Sequence, residues 1–176
     1  SYQPGRLPAL APEGLSWALE KGTHLVLQLH LQPTGKPETL QASVGFYFTD
    51  RAPTNTPFKA VLSSLTIDIP PGVSNYTITD SFALPVDARV IAGLPHAHYL
   101  ARDMKGWAAL PDGTTRPLIH IKNWDFNWQG DYRYAQPVFL PKGSTLKMAF
   151  TYDNSTNNVR NPNRPPQEVL YGEQSS

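Results

Sequence analysis

The sequence predicts an all-β protein built as an antiparallel β-sandwich, and three observations lead to that fold class. Short runs rich in β-branched and aromatic residues recur at the spacing of about 8–12 residues that is typical of sandwiches. Turn signals separate these runs: Pro70-Pro71-Gly72, Pro111-Asp112-Gly113 and Pro141-Lys142-Gly143. No stretch long enough for a stable helix has the apolar period of about 3.6 residues that an amphipathic helix requires.

Composition excludes several classes of function. The 176 residues carry a net charge of +1 and only 16% are charged, so there is no basic stripe for nucleic acid and no polybasic membrane patch. No apolar run reaches the roughly 18–20 residues that span a bilayer. The chain has no cysteine, which excludes disulfides and thiolate metal sites. Any metal ion is therefore expected to be bound by His, Met or oxygen ligands.

The chain is expected to divide into two regions, 1–50 and 51–176, because residues 51–58 are rich in Pro, Thr and Asn. The Pro-rich residues 1–22 are expected to form an extended arm that suits wrapping around a protein partner. In the first strand expected after the arm, two sets of residues alternate. Leu25, Leu27, Leu29 and Leu31 lie on one face, and His24, Val26, Gln28 and His30 lie on the other. Strands are expected at 24–32, 43–49, 62–69, 76–84, 88–94, 98–110, 115–122, 132–139 and 145–152.

The most informative motif is Leu94-Pro95-His96-Ala97-His98-Tyr99-Leu100. Residues i and i+2 of an extended strand point to the same side, so His96 and His98 are placed to share one metal ion. Imidazole is a ligand that suits copper, zinc, iron and nickel. By itself a His-x-His pair is more often two surface side chains satisfied by hydrogen bonds, so the flanking sequence has to decide between these two interpretations.

The flanking sequence is recognisable. Residues 24–37, 94–106, 122–133 and 152–176 together resemble the copper type II, ascorbate-dependent monooxygenase family. Its animal members are peptidylglycine α-hydroxylating monooxygenase and dopamine β-hydroxylase, and the resemblance is to the bacterial branch. That branch shares the Leu-Pro-His-Ala-His-Tyr-Leu motif and two further segments. These are Asn123-Trp124-Asp125-Phe126-Asn127-Trp128-Gln129 and Tyr152-Asp153-Asn154-Ser155.

The resemblance implies two jelly-roll-like β-sandwiches, each with one copper ion, that face each other across a water-filled cleft. His96 and His98 match two ligands of the copper that binds dioxygen, and His30 matches one ligand of the copper that relays electrons. Residues 1–50 would hold the arm and the last strands of a first sandwich, and residues 51–176 the C-terminal sandwich. The family further implies an extracytoplasmic location, a small-molecule substrate, and ascorbate or another electron donor.

Two elements of the family pattern have no match in the sequence. The third dioxygen-site ligand is a methionine that follows a Ser-Ser pair, whereas the sequence stops at Ser175-Ser176. The adjacent His-His pair of the relay site is also absent. We therefore expect a segment of a larger protein that binds copper weakly by itself and does not hydroxylate a substrate. Met104 and Met148 are possible substitutes, but both are more typical of a hydrophobic core.

Two other classes of function stay open. A noncatalytic β-sandwich subunit of a larger extracytoplasmic assembly is favoured by the missing ligands and the Pro-rich arm. A carbohydrate-binding sandwich would use Trp107, Trp124 or Trp128, although the core is the expected destination of the aromatic residues in 123–129. Of the remaining histidines, His24 is expected on the surface, and His120 in the core or at a sheet edge.

Overall fold

The computed structural model describes residues 11–29, 31 and 34–172. Within these ranges the chain forms strands and no helix, and every strand pair is antiparallel. The predicted all-β, antiparallel fold class is therefore confirmed. The strands are β1 (Asp68–Ile69), β2 (Tyr76–Ala83), β3 (Ala88–Gly93), β4 (Ala101–Ala109), β5 (Thr115–Ile121), β6 (Tyr132–Leu140), β7 (Thr145–Tyr152) and β8 (Val169–Leu170).

The strands form one four-stranded sheet and two ribbons of two strands. The sheet has the order β2-β7-β4-β5, and the ribbons are β1-β8 and β3-β6. Gly113 and Gly143 have φ of +84° and +83° in the turns before β5 and β7. This left-handed conformation is accessible to glycine without strain, which explains the Pro-x-Gly turn signals in the sequence.

One face of the four-stranded sheet carries the core, as expected for a sandwich. At one end of that face, Ile78, Met104 and Met148 pack with Ile69 and Val169 of the β1-β8 ribbon. Towards the other end, the sheet packs against the β3-β6 ribbon. The residues of this second cluster include Phe82, Ala108 and Leu146 from the sheet, and Val90, Val138 and Leu140 from the ribbon. The expected core positions of Met104 and Met148 are confirmed, with 0% and 6% of their surface exposed.

The chain divides into two compact units, residues 1–59 and 60–176. The division follows Lys59, and the Pro/Thr/Asn-rich residues 51–58 lie just before it. All the strands that the described residues form belong to the second unit. No helix long and apolar enough to cross a bilayer occurs in the part of the chain that the structure describes.

Two strand predictions in the first unit, 24–32 and 43–49, are wrong. The described residues of 24–32 and all of 43–49 lack strand pairing. The alternating leucines are exposed, from 51% at Leu27 to 67% at Leu31. A strand is stabilised by ladder hydrogen bonds and cross-strand side-chain contacts, so alternation alone does not form one without a neighbouring strand. The strand expected over 62–69 is also shorter, because only Asp68 and Ile69 pair with β8.

Candidate metal site

The histidine pair lies in a loop that enters β4, not on the strand itself. The strand was expected from residue 98, but β4 begins at Ala101. Pro95 and Ala97 of this loop are buried, whereas His96 is exposed and His98 is half-buried. Since alternate residues of an extended segment point to opposite sides, burial of Pro95 and Ala97 directs both imidazoles outward. The result is the same-side arrangement that the motif predicts, produced by anchoring residues in place of a ladder.

The two imidazole rings lie close together. Their centroids are 5.3 Å apart and their planes are nearly perpendicular, at 84°. Two imidazoles bound to one metal ion at nitrogen distances of about 2.0 Å place their ring centroids roughly 5 Å apart. The spacing of the pair is therefore compatible with one shared metal ion.

Gln129 fixes the protonation of the His96 ring. The amide Nε2 of Gln129 donates a hydrogen bond to the Phe126 carbonyl oxygen at 2.8 Å, which only the nitrogen of the amide is able to do. Its Oε1 consequently faces His96 Nδ1, at 2.6 Å. Because an amide oxygen only accepts, Nδ1 of His96 is the donor, and the lone pair of the neutral ring is then on Nε2. A histidine that ligates a metal commonly has its other ring nitrogen bound in this way.

His98 is held by aromatic side chains. Its ring meets Phe126 edge to face, with centroids 5.7 Å apart and planes at 83°. The Phe126 ring in turn packs against the Tyr99 ring, with ring centroids 4.5 Å apart. Edge-to-face packing stabilises such pairs by about 0.5–1.5 kcal/mol beyond their buried area. The backbone of Phe126 orients Gln129 and its ring restricts His98, so one residue supports both histidines.

Segment 123–129 is anchored under the pair by Trp124. The indole is 1% exposed and belongs to the same core cluster as Ala97 and Leu100. The backbone N–H of Trp124 donates to the Arg102 carbonyl at 2.9 Å, which ties the segment to β4. Its Nε1 has no hydrogen-bond partner. The core location expected for this tryptophan is confirmed. Because the indole is buried, it is not accessible for stacking on a sugar ring.

Trp128 differs from its expected core position. It is 78% exposed, because the backbone N–H of Trp128 bonds to the Asp125 carbonyl at 3.0 Å and closes a turn. A turn interrupts the alternation of a strand, so the third aromatic residue of the segment is not carried back into the core.

The described histidines outside the pair add no ligand to it. His30 lies outside the described residues. His120 lies on β5 at the edge of the four-stranded sheet, as expected, with Nε2 2.7 Å from Asp103 Oδ2. His24 is exposed, also as expected. Among the described residues, no group of three or more His, Cys, Asp or Glu side chains forms a metal site. The chemistry of the site therefore rests on two imidazoles, which suit a first-row transition metal.

The contact of Gln129 with His96 and the burial of the asparagines near the end of the chain were not predicted from the sequence. Asn154 is 0% exposed, and its Nδ2 lies 2.7–3.1 Å from the carbonyls of Ile69, Pro70 and Gln167. Asn161 Nδ2 donates to Asn154 Oδ1 at 2.9 Å. This network joins the end of β7 to the β1-β8 ribbon. The Asn-rich composition of 154–166 was the available signal in the sequence.

Comparison with known proteins gives no relative. No protein-family model, no curated protein and no solved structure matches the chain. The function is therefore argued from the histidine pair and its supporting residues.

Proposed function

We propose that the chain is the copper-binding region of an extracytoplasmic monooxygenase-like protein, in which His96 and His98 hold one copper ion. The observation that carries this proposal is the Gln129 contact, which leaves the lone pair of the neutral His96 ring on Nε2, in a ring whose centroid is 5.3 Å from that of His98. The resemblance to copper monooxygenases names the metal and the chemistry. It also supplies the third ligand, a methionine, and the relay role of His30.

Bound copper would supply one-electron redox chemistry with dioxygen, and hence hydroxylation of a substrate C–H bond at the expense of ascorbate or another donor. The residues of the chain have separate tasks in this reaction. Gln129 holds the proton on Nδ1 of His96 and so keeps Nε2 available to the metal. Phe126, which is itself packed against Tyr99, limits rotation of the His98 ring and covers part of it from water. Zinc would also suit the two imidazoles, but it has no redox chemistry.

Copper titration followed by electron paramagnetic resonance tests the proposal. The full chain is expected to give a type II Cu(II) signal with nitrogen hyperfine structure, and His96→Ala and His98→Ala are each expected to remove it. His24→Ala and His120→Gln are the matched controls, because both change a histidine outside the pair. An unchanged spectrum in His96→Ala would place the copper elsewhere and end the proposal.

A noncatalytic interaction module is the second candidate, and one observation favours it. Many apolar side chains of the first unit are exposed, including Val26 at 83%, Phe48 at 79% and Tyr47 at 78%. Large exposed apolar side chains in such number are more typical of subunits of assemblies than of monomeric soluble proteins. The partner that we test is a second copy of the chain. Analytical ultracentrifugation should then detect a dimer that Phe48→Ser weakens, and a monomer at every concentration would remove this candidate.

A further inference from the structure

Arg160 holds three consecutive residues at the start of segment 123–129. Its Nη1 donates to Asn123 Oδ1 at 3.1 Å and to the Trp124 carbonyl oxygen. Its Nη2 lies 3.7 Å from Asp125 Oδ2. The Arg160 side chain is 29% exposed, so part of this contact is shielded from water. A planar guanidinium with several donors is suited to holding a side-chain amide, a carbonyl and a carboxylate together.

Hydrogen bonds continue from these three residues to the histidine pair. Asp125 Oδ1 accepts from the Asn127 N–H at 2.9 Å, and the Asp125 carbonyl accepts from the Trp128 N–H at 3.0 Å. These bonds close the turn that brings Gln129 back to the Phe126 carbonyl. Gln129 Oε1 then reaches His96. Each step is a hydrogen bond or an adjacent peptide, so the path from Arg160 to His96 is physically continuous.

The backbone of Arg160, at the start of this path, is held by a hydrogen bond of its own. Its N–H donates to Asn158 Oδ1 at 3.0 Å. Asn158 is 1% exposed, and its Nδ2 donates to the Asp153 carbonyl at 2.7 Å. The Arg160 side chain therefore extends from a loop that is itself hydrogen-bonded to the end of β7.

We propose that Arg160 is a positioning residue for the His96/His98 pair and acts through segment 123–129. Its effect on metal affinity rests on the proposed copper function, whereas its effect on the His96 tautomer does not. The guanidinium fixes the turn, the turn aims the Gln129 amide, and the amide keeps the His96 proton on Nδ1. Lysine is not equivalent at this position, since a single ammonium group does not match a fork that contacts three acceptors.

Long-range ¹H–¹⁵N NMR of the metal-free full chain, at a pH where imidazoles are neutral, tests the proposal through the tautomer. The wild-type His96 ring is expected to be protonated at Nδ1. In Arg160→Gln it should shift towards the Nε2–H form that an unconstrained imidazole prefers. His120, bonded to Asp103, serves as the internal reference. Arg164→Gln is the matched control, because Arg164 is an exposed arginine of the same loop that contacts the Val159 carbonyl at 3.4 Å.

Copper titration of the same variants gives the second measurement. Loss of a partner that orients a metal-bound histidine typically costs about 10–100-fold in affinity, so Arg160→Gln should weaken copper binding about tenfold. In a Gln129→Ala background the same substitution should cause no further loss, because both residues act on one path. An equal further loss there would overturn the proposal.

The remaining outcomes are distinct. A folded Arg160→Gln variant with an unchanged His96 tautomer overturns the positioning role, as does a shift of equal size in Arg164→Gln. If Arg160→Gln does not fold by circular dichroism, Arg160→Lys takes its place: a shifted tautomer supports the proposal and an unchanged one overturns it. If the wild type binds no copper but the tautomer shifts in Arg160→Gln, the copper function fails and the positioning role stands.

Discussion

Gln129 Oε1 lies 2.6 Å from His96 Nδ1, although the two residues are 33 positions apart in the chain. Removing this acceptor should leave the imidazole free to rotate and to exchange tautomers. We expect Gln129→Ala to weaken Cu(II) binding about 10–100-fold, measured by isothermal titration calorimetry. Gln136→Ala, at an exposed position of β6, is the control and should leave the affinity unchanged. Equal affinities of Gln129→Ala and wild type would mean that the glutamine does not orient a ligand.

Met104 is 0% exposed and packs in the sheet core, so we expect it to contribute to stability and not to metal binding. Met104→Ala should lower the free energy of unfolding by about 2–5 kcal/mol, and the nearly isosteric Met104→Leu by less than about 1.5 kcal/mol. Met104→Leu should also retain the wild-type copper affinity. Urea denaturation and copper titration measure the two quantities. A large loss of copper affinity in the folded Met104→Leu variant would identify the thioether as a ligand.

The buried Asn154 amide joins three backbone carbonyls, those of Ile69, Pro70 and Gln167. Truncation leaves buried polar groups unsatisfied, and each such group costs about 1–3 kcal/mol. We expect Asn154→Ala to lower the free energy of unfolding by about 3 kcal/mol, measured by urea denaturation. Asn157→Ala is the matched control because Asn157 is exposed on the same loop, and it should change stability by less than about 0.5 kcal/mol. Similar losses in the two variants would contradict the structural role of the buried amide.

Asp103 gives the protein an acid-dependent contribution to stability. Desolvation raises the pKa of Asp103, but hydrogen bonds from His120 and Lys105 lower it by more, so the folded value lies below 3.8. A carboxylate whose pKa is lower in the folded state stabilises the fold above pH 3.8, and this contribution is lost as the pH falls through the folded pKa. Asp103→Asn should therefore reduce the loss of stability at acid pH.

Denaturation with urea at a series of pH values between neutral and strongly acidic measures this effect. Because the ion pair is partly exposed, the difference between Asp103→Asn and wild type should stay below about 1 kcal/mol. Glu168→Gln, which neutralises an exposed carboxylate, is the control. An acid-dependent loss of stability that is identical in Asp103→Asn and wild type would exclude the contribution.

The long strands were predictable because local signals define most of their ends, although β4 begins three residues later than predicted. For example, β6 begins at Tyr132 and β7 ends at Tyr152, as the sequence predicts. Pro-Gly turns and alternating apolar residues are local features of the sequence. The strand expected over 24–32 shows the limit of such signals. Alternation identifies an apolar face but does not specify the neighbouring strand that has to pair with it.

The candidate site was predictable only in part, for the same physical reason. The pair of histidines is visible in the sequence, because ligands at i and i+2 are a local pattern. Gln129 and Arg160 were not predicted, since their roles arise from contacts across 33 and 37 positions of the chain. A glutamine or an arginine carries no signal for such a contact before the fold brings the segments together.

The position of β7 in the sheet has a consequence for synthesis of the protein. β7 lies between β2 and β4 in the sheet and pairs with both, so these two earlier strands do not belong to one sheet until β7 has been synthesised. A nascent chain that ends before Thr145 holds the β4-β5 hairpin and a β2 strand with both edges open. Open strand edges are templates for association between chains. Aggregation during translation is therefore most probable in that interval, and chaperone binding to the nascent chain would be most effective there.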